Sequence, residues 1–217
     1  MDAPMSEGQL AALLIWLLLL VFSLRRPLWQ TLHDNPLYQH LLLGSAIALI
    51  PLWYLRAGLH EGLEVHFLGL TTLTLLLGWR LALLAPCLTL LVLGYFGVTN
   101  LADFGWQALI GIGLPVATSW LLFLASWAWL PRHLFVYLFV AAFLGGAVTI
   151  SVKVVASALL MGVSGTYPWH TISADYLSIW PLLLFPEALL NGMAMTVLAI
   201  YRPHWVNTFF DRTYLGR

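Results

Sequence analysis

The chain has 217 residues, 61% of them hydrophobic and only 8% charged, with a formal net charge of zero. A soluble domain of this size sits near half apolar and a quarter charged, so this much apolar surface excludes an ordinary soluble core and calls for lipid as solvent. Zero net charge removes the electrostatic case for nucleic acid as a partner, and the single cysteine, Cys87, allows neither an internal disulfide nor a thiolate metal cage.

The N-terminal stretch MDAPMSEG carries Asp2 and Glu7 and no basic residue, and no small-residue cleavage site follows the first apolar run. The first basic residues, Arg25 and Arg26, come after that run. This order predicts a retained first helix with its N-terminus outside the cytoplasm rather than a signal peptide. Hydropathy then predicts an all-α polytopic membrane protein, a single membrane domain of seven transmembrane helices. The spans lie at about 8–24, 38–55, 65–79, 81–98, 106–129, 133–162 and 178–201.

The third and fourth spans are separated only by Gly78-Trp79-Arg80, which makes them an antiparallel hairpin. Between the first two spans, RRPLWQTLHDNPLYQH is the longest cytoplasmic loop. Its Trp29, Leu32, Leu37 and Tyr38 predict that it lies on the membrane surface or against a partner. Cys87 sits within an apolar run and reads as a small buried hydrophobe.

Orientation follows from the charges. With seven spans and the N-terminus outside, Arg25, Arg26, Arg80, Arg132, Arg202, Arg212 and Arg217 are cytoplasmic, and Arg56 alone is external. That is a pronounced positive-inside bias and puts the C-terminus in the cytoplasm. Asp2, Glu7, Glu61, Glu64, Asp103 and Asp175 fall outside, Asp34 and Asp211 inside, and Glu187 within the last span.

The scarce polar residues gather in LHEGLEVHFLGL, which packs His60, Glu61, Glu64 and His66 into seven positions at the outer mouth of the third span. Imidazole and carboxylate together suit a divalent transition metal such as cobalt, nickel or zinc better than calcium or magnesium, which favour all-oxygen ligands. A polar, solvated membrane-surface loop is the competing reading for His60 and Glu61. It fits His66 less well, because an unpaired imidazole heading an apolar helix is costly. His170, Asp175, Glu7 and Met5 are further donors on the same side. Two ionisable residues lie inside spans, Lys153 and Glu187, and the expectation is that they pair with each other across the bundle. Gly145 and Gly146 read as a close-packing site.

The run from His66 through Gly97, with Gly69 and the turn Leu77-Gly78-Trp79, resembles the CbiM/NikM family. These are the substrate-capture membrane subunits of energy-coupling-factor (ECF) cobalt and nickel transporters. PEALLNGMAMTVLAIYRP resembles the family's final helix, and Ser6-Glu7-Gly8-Gln9-Leu10 its opening. The resemblance implies capture of a divalent metal ion as substrate, with His66 matching the family's helix-head ligand. It also implies a transmembrane coupling subunit and ABC ATPases as partners, and a bacterial inner-membrane location. The family's second-position histidine is absent: when Glu7-Gly8 is aligned it falls on Pro4, which has neither a ligating side chain nor an amide proton. Either the metal is held with help from His60, Glu61 or Glu64, or the substrate has changed.

The chain contains no GxxxxGK[ST] phosphate loop, so ATP hydrolysis falls to partners, and no catalytic cofactor is expected. The rival reading is an enzyme, a membrane-embedded metallohydrolase with Glu64 or Glu61 as general base on the same cluster. It lacks HExxH, GxSxG or any comparable signature. A haem or quinone redox subunit would need paired histidines deep in the spans, and the sequence has none there.

Overall fold

The computed structural model describes residues 5–24, 30, 32–58, 64–210 and 214. Helices dominate: α1 (Glu7–Ser23), α2 (Pro36–Tyr54), α3 (Leu70–Leu77), α4 (Leu81–Tyr95), α5 (Leu101–Trp129), α6 (Leu134–Val163), α7 (169–177) and α8 (Trp180–Tyr201). The one bridge between extended segments among the described residues joins Ala57 and Val65. Four helices, α2, α5, α6 and α8, are long and apolar enough to cross a membrane; α1 and α4 are apolar but have 17 and 15 residues.

Local chemistry explains the helix starts. Ser6 caps α1 through a reciprocal box: its hydroxyl accepts from the Gln9 amide, and the Gln9 side chain accepts from the Ser6 amide. The same Gln9 side chain donates to Asp103 at 2.8 Å, pinning α1 to the start of α5. Asn35 caps α2, with Pro36 in the first turn where its missing N–H costs nothing. Long apolar stretches of α1, including Leu14, Leu17, Leu18 and Val21, remain exposed, as expected of a surface solvated by acyl chains.

The third apolar stretch departs from expectation. A continuous helix over 65–79 does not form; residues 66–69 are non-helical, with Gly69 in the left-handed region, and only Leu70–Leu77 is helical. Eight residues rise about 12 Å, well short of a hydrocarbon core of about 30 Å. The cause is competition for backbone hydrogen bonds: the Glu187 side chain of α8 takes the amides of Leu68 and Gly69, and Gly69 turns the chain with φ +65°. Non-helical backbone at membrane depth is tolerated when protein surrounds it, and α3 meets that condition, with all of its residues except Thr72 buried.

Both ends of α3 are completed by distant parts of the chain. A helix leaves four amides and four carbonyls unpaired at its ends, and Gly69 has no side chain with which to cap. At the N-terminal end Glu187 and Asn191 of α8 accept the amides of Leu68, Gly69 and Thr72. At the other end the tail beyond α8 folds back: Asn207 N–H donates to the Leu76 carbonyl, and Thr208 donates to the Leu75 carbonyl from its amide and its hydroxyl. The tail is anchored by aromatic packing, with Tyr137 of α6 4.9 Å from Tyr214 and 5.3 Å from Phe209 between ring centres.

The turn 78–80 joins α3 to α4 tightly, with Gly78 at φ +77°. Gly146 lets α6 approach α8, since a Cβ there would lie 3.0 Å from the Asn191 amide nitrogen and 3.1 Å from the Glu187 carbonyl. Cys87 is buried in α4.

Candidate metal-capture site

His66 lies in the non-helical segment leading into α3, half-buried, with its ring 5.3 Å from that of Trp53 at the end of α2. Its Nδ1 is 3.0 Å from the Phe67 carbonyl oxygen. A carbonyl only accepts, so this contact requires the proton on Nδ1 and leaves the lone pair on Nε2. Fixing one ring nitrogen with a backbone carbonyl so that the other can ligate is the usual way proteins prepare a metal-binding imidazole.

The backbone next to His66 is held by side chains of two helices. The Trp53 indole donates to the Leu68 carbonyl at 3.1 Å. From α8, the two carboxylate oxygens of Glu187 accept the Leu68 amide at 2.8 Å and the Gly69 amide at 2.9 Å. Asn191 completes the arrangement, donating to Glu187 Oε1 at 2.8 Å and accepting from the Thr72 amide and hydroxyl, each at 2.8 Å.

The other candidates are placed differently. Glu64 faces Arg56, with Oε2 3.4 Å from Nη1, and Arg56 also donates from Nε to the Trp53 carbonyl at 2.8 Å. Ala57 and Val65 form a bridge; His60 and Glu61, between them in the sequence, lie outside the described residues. His170 is exposed on α7, Asp175 is half-buried, and Glu7 and Met5 are exposed at the start of α1. Among the described residues, no group of three or more His, Cys, Asp or Glu side chains converges as a metal cage.

The expected pairing of Lys153 with Glu187 does not occur. Lys153, buried in α6, donates to the Tyr176 hydroxyl at 3.3 Å and lies 5.9 Å from the centre of that ring. Glu187 takes its hydrogen bonds from backbone amides and Asn191 instead, because it sits at the N-terminal end of α3, where unpaired N–H groups and the helix dipole favour a carboxylate. Sequence reasoning missed Trp53, Asn191 and Tyr176. A usable signal existed for Asn191, which is four residues after Glu187 and therefore on the same helix face.

The family model described as cobalt uptake substrate-specific transmembrane region, CbiM, matches residues 6–205. The chain belongs to the CbiM family. The match runs from the Ser6 cap of α1 to Trp205 beyond α8, and so takes in His66, α3 and the Glu187–Asn191 pair. No curated protein and no solved structure matches the chain. Membership of CbiM makes this a multi-pass membrane protein and the transmembrane component of a cobalt-uptake system. The family is one of transport components.

Proposed function

We propose that this CbiM-family chain is the substrate-capture subunit of an ECF-type ABC importer for Co²⁺ or Ni²⁺, with Zn²⁺ as a further possible cargo, in a bacterial inner membrane. His66 is the principal ligand, offering Nε2 to the ion. Glu64, His60 and Glu61 are the nearby donors in sequence that would replace further waters, Glu64 by exchanging its Arg56 contact for the metal. A transmembrane coupling subunit and ABC ATPases supply the energy.

The same reading keeps seven crossings, N-terminus outside and C-terminus in the cytoplasm. The third crossing is then a composite of the non-helical residues 66–69 and α3, which alone rises about 12 Å. The concentration of arginines on one side supports this orientation.

The observation that carries the proposal is the His66 imidazole, its Nδ1 committed to the Phe67 carbonyl, in a chain matching a cobalt-uptake family. The test is thermal unfolding of the detergent-purified protein with and without CoCl₂, NiCl₂ or ZnCl₂. Stabilisation by at least one of these, lost in His66→Ala, is expected. Melting that is unaffected by all of them in both proteins would overturn the proposal.

A further inference from the structure

We infer that Glu187 and Trp53 are positioning residues for the metal ligand: from two different helices they bond the backbone of Leu68 and Gly69 and thereby fix where His66 presents Nε2. The inference rests on the metal-capture reading above and deepens it.

The Leu68 residue is engaged at both of its backbone polar groups by side chains from different helices. Its carbonyl accepts from the Trp53 indole of α2, and its amide donates to the Glu187 carboxylate of α8. Gly69, next in line, donates to the other carboxylate oxygen. Trp53 also lays its ring against the His66 imidazole, so the residue that anchors the peptide limits the ring's rotation as well. Each anchor is itself held. Asn191 donates to Glu187 Oε1, Gly146 packs closely against both Asn191 and the Glu187 carbonyl, and Trp53 is buried.

Residues 66–69 precede the helix, and the Leu68 and Gly69 amides bond to a side chain rather than to neighbouring backbone, so these contacts define the path of the segment. The requirement for a carboxylate at 187 is specific. Both oxygens receive N–H donors, and one of them receives two. A glutamine has one acceptor oxygen and one donor NH₂ group, so Glu187→Gln sets a donor against a donor while keeping size and shape. Groups that orient a metal ligand without touching the metal affect affinity by about 10- to 100-fold.

The experiment measures the dissociation constant and the visible d–d absorption spectrum of Co²⁺, added as CoCl₂, for the full chain and for Glu187→Gln, Trp53→Phe and His66→Ala, with the melting temperature of each metal-free protein alongside. Trp53→Phe keeps an aromatic ring beside His66 but deletes the indole donor, and it decides the question if Glu187→Gln does not fold. Expected are Co²⁺ affinity about tenfold or more weaker in Glu187→Gln and Trp53→Phe, and an altered d–d band at saturating metal. Wild-type affinity in the folded variants overturns the inference. So does a lowered melting temperature accompanied by an unchanged band and affinity, since that is the pattern of a purely structural role. If the wild-type chain itself binds no Co²⁺, the capture reading and this inference fall together. Binding that is lost in His66→Ala but unchanged in the two positioning variants removes this inference alone.

Discussion

Glu187 and Lys153 show how differently two buried charges can be accommodated. Glu187 accepts from two backbone amides and one side-chain amide, whereas Lys153 donates to one tyrosine hydroxyl. Removing the Asn191 amide orphans the Thr72 amide and strips a donor from Glu187, so Asn191→Leu is expected to destabilise the protein by about 1–3 kcal/mol. Lys153→Met deletes a buried ammonium with little hydrogen bonding to lose, and is expected to be neutral or stabilising. Unfolding of both purified variants, compared with wild type, checks the contrast; equal destabilisation by the two would contradict it. Sequence alone marks both residues as costly in a membrane, but it suggests the wrong partners. Opposite charges are visible in a sequence, while the backbone amides of a helix end more than a hundred residues away are not. His66 stands out in the sequence because an unpaired imidazole heading an apolar run is costly; Trp53 does not, since a tryptophan near a span end reads as an interfacial anchor.

At the scale of elements, six of the seven apolar stretches are helical, and the third is helical only in part. Hydropathy reports that a segment avoids water; it does not report whether the segment pairs its own backbone or borrows partners. α3 borrows at both ends, from α8 and from the C-terminal tail. Thr208 is central to the second end, accepting or sharing a proton with the Tyr137 hydroxyl at 2.7 Å while bonding the Leu75 carbonyl. Thr208→Val preserves the shape and deletes both hydroxyl contacts, leaving a buried Tyr137 hydroxyl without its partner. A loss of about 1–3 kcal/mol is expected in thermal or denaturant unfolding, and no loss would contradict the role given to the tail. The tail's part in the fold is hard to see in the sequence, because its contacts with Leu75 and Leu76 span more than 130 positions and end on backbone carbonyls.

For the whole molecule, the governing physical fact is an apolar exterior around a polar seam formed by Trp53, residues 66–69, Glu187 and Asn191. The exterior is legible from composition; the seam is not, because its members are far apart in sequence and Glu187 takes two of its donors from the main chain. The proposed orientation makes the two ends of α6 distinguishable from outside the cell. Thr166, just beyond its C-terminal end, is exposed and predicted to be external, and His133, just before its start, is exposed and predicted to be cytoplasmic. In intact cells a membrane-impermeant maleimide is expected to label Thr166→Cys, and to label His133→Cys only after permeabilisation. Native Cys87, being buried, contributes little background. The reverse labelling pattern would invert the topology and put the His66 mouth on the wrong side for uptake.

The most direct test of the central claim, that His66 gives Nε2 to the transported ion, is X-ray absorption at the cobalt edge of the Co²⁺-loaded protein. The account predicts multiple-scattering features of a coordinated imidazole in the wild-type chain and their loss or reduction in His66→Ala. A wild-type spectrum without imidazole scattering, or one identical in His66→Ala, would contradict it.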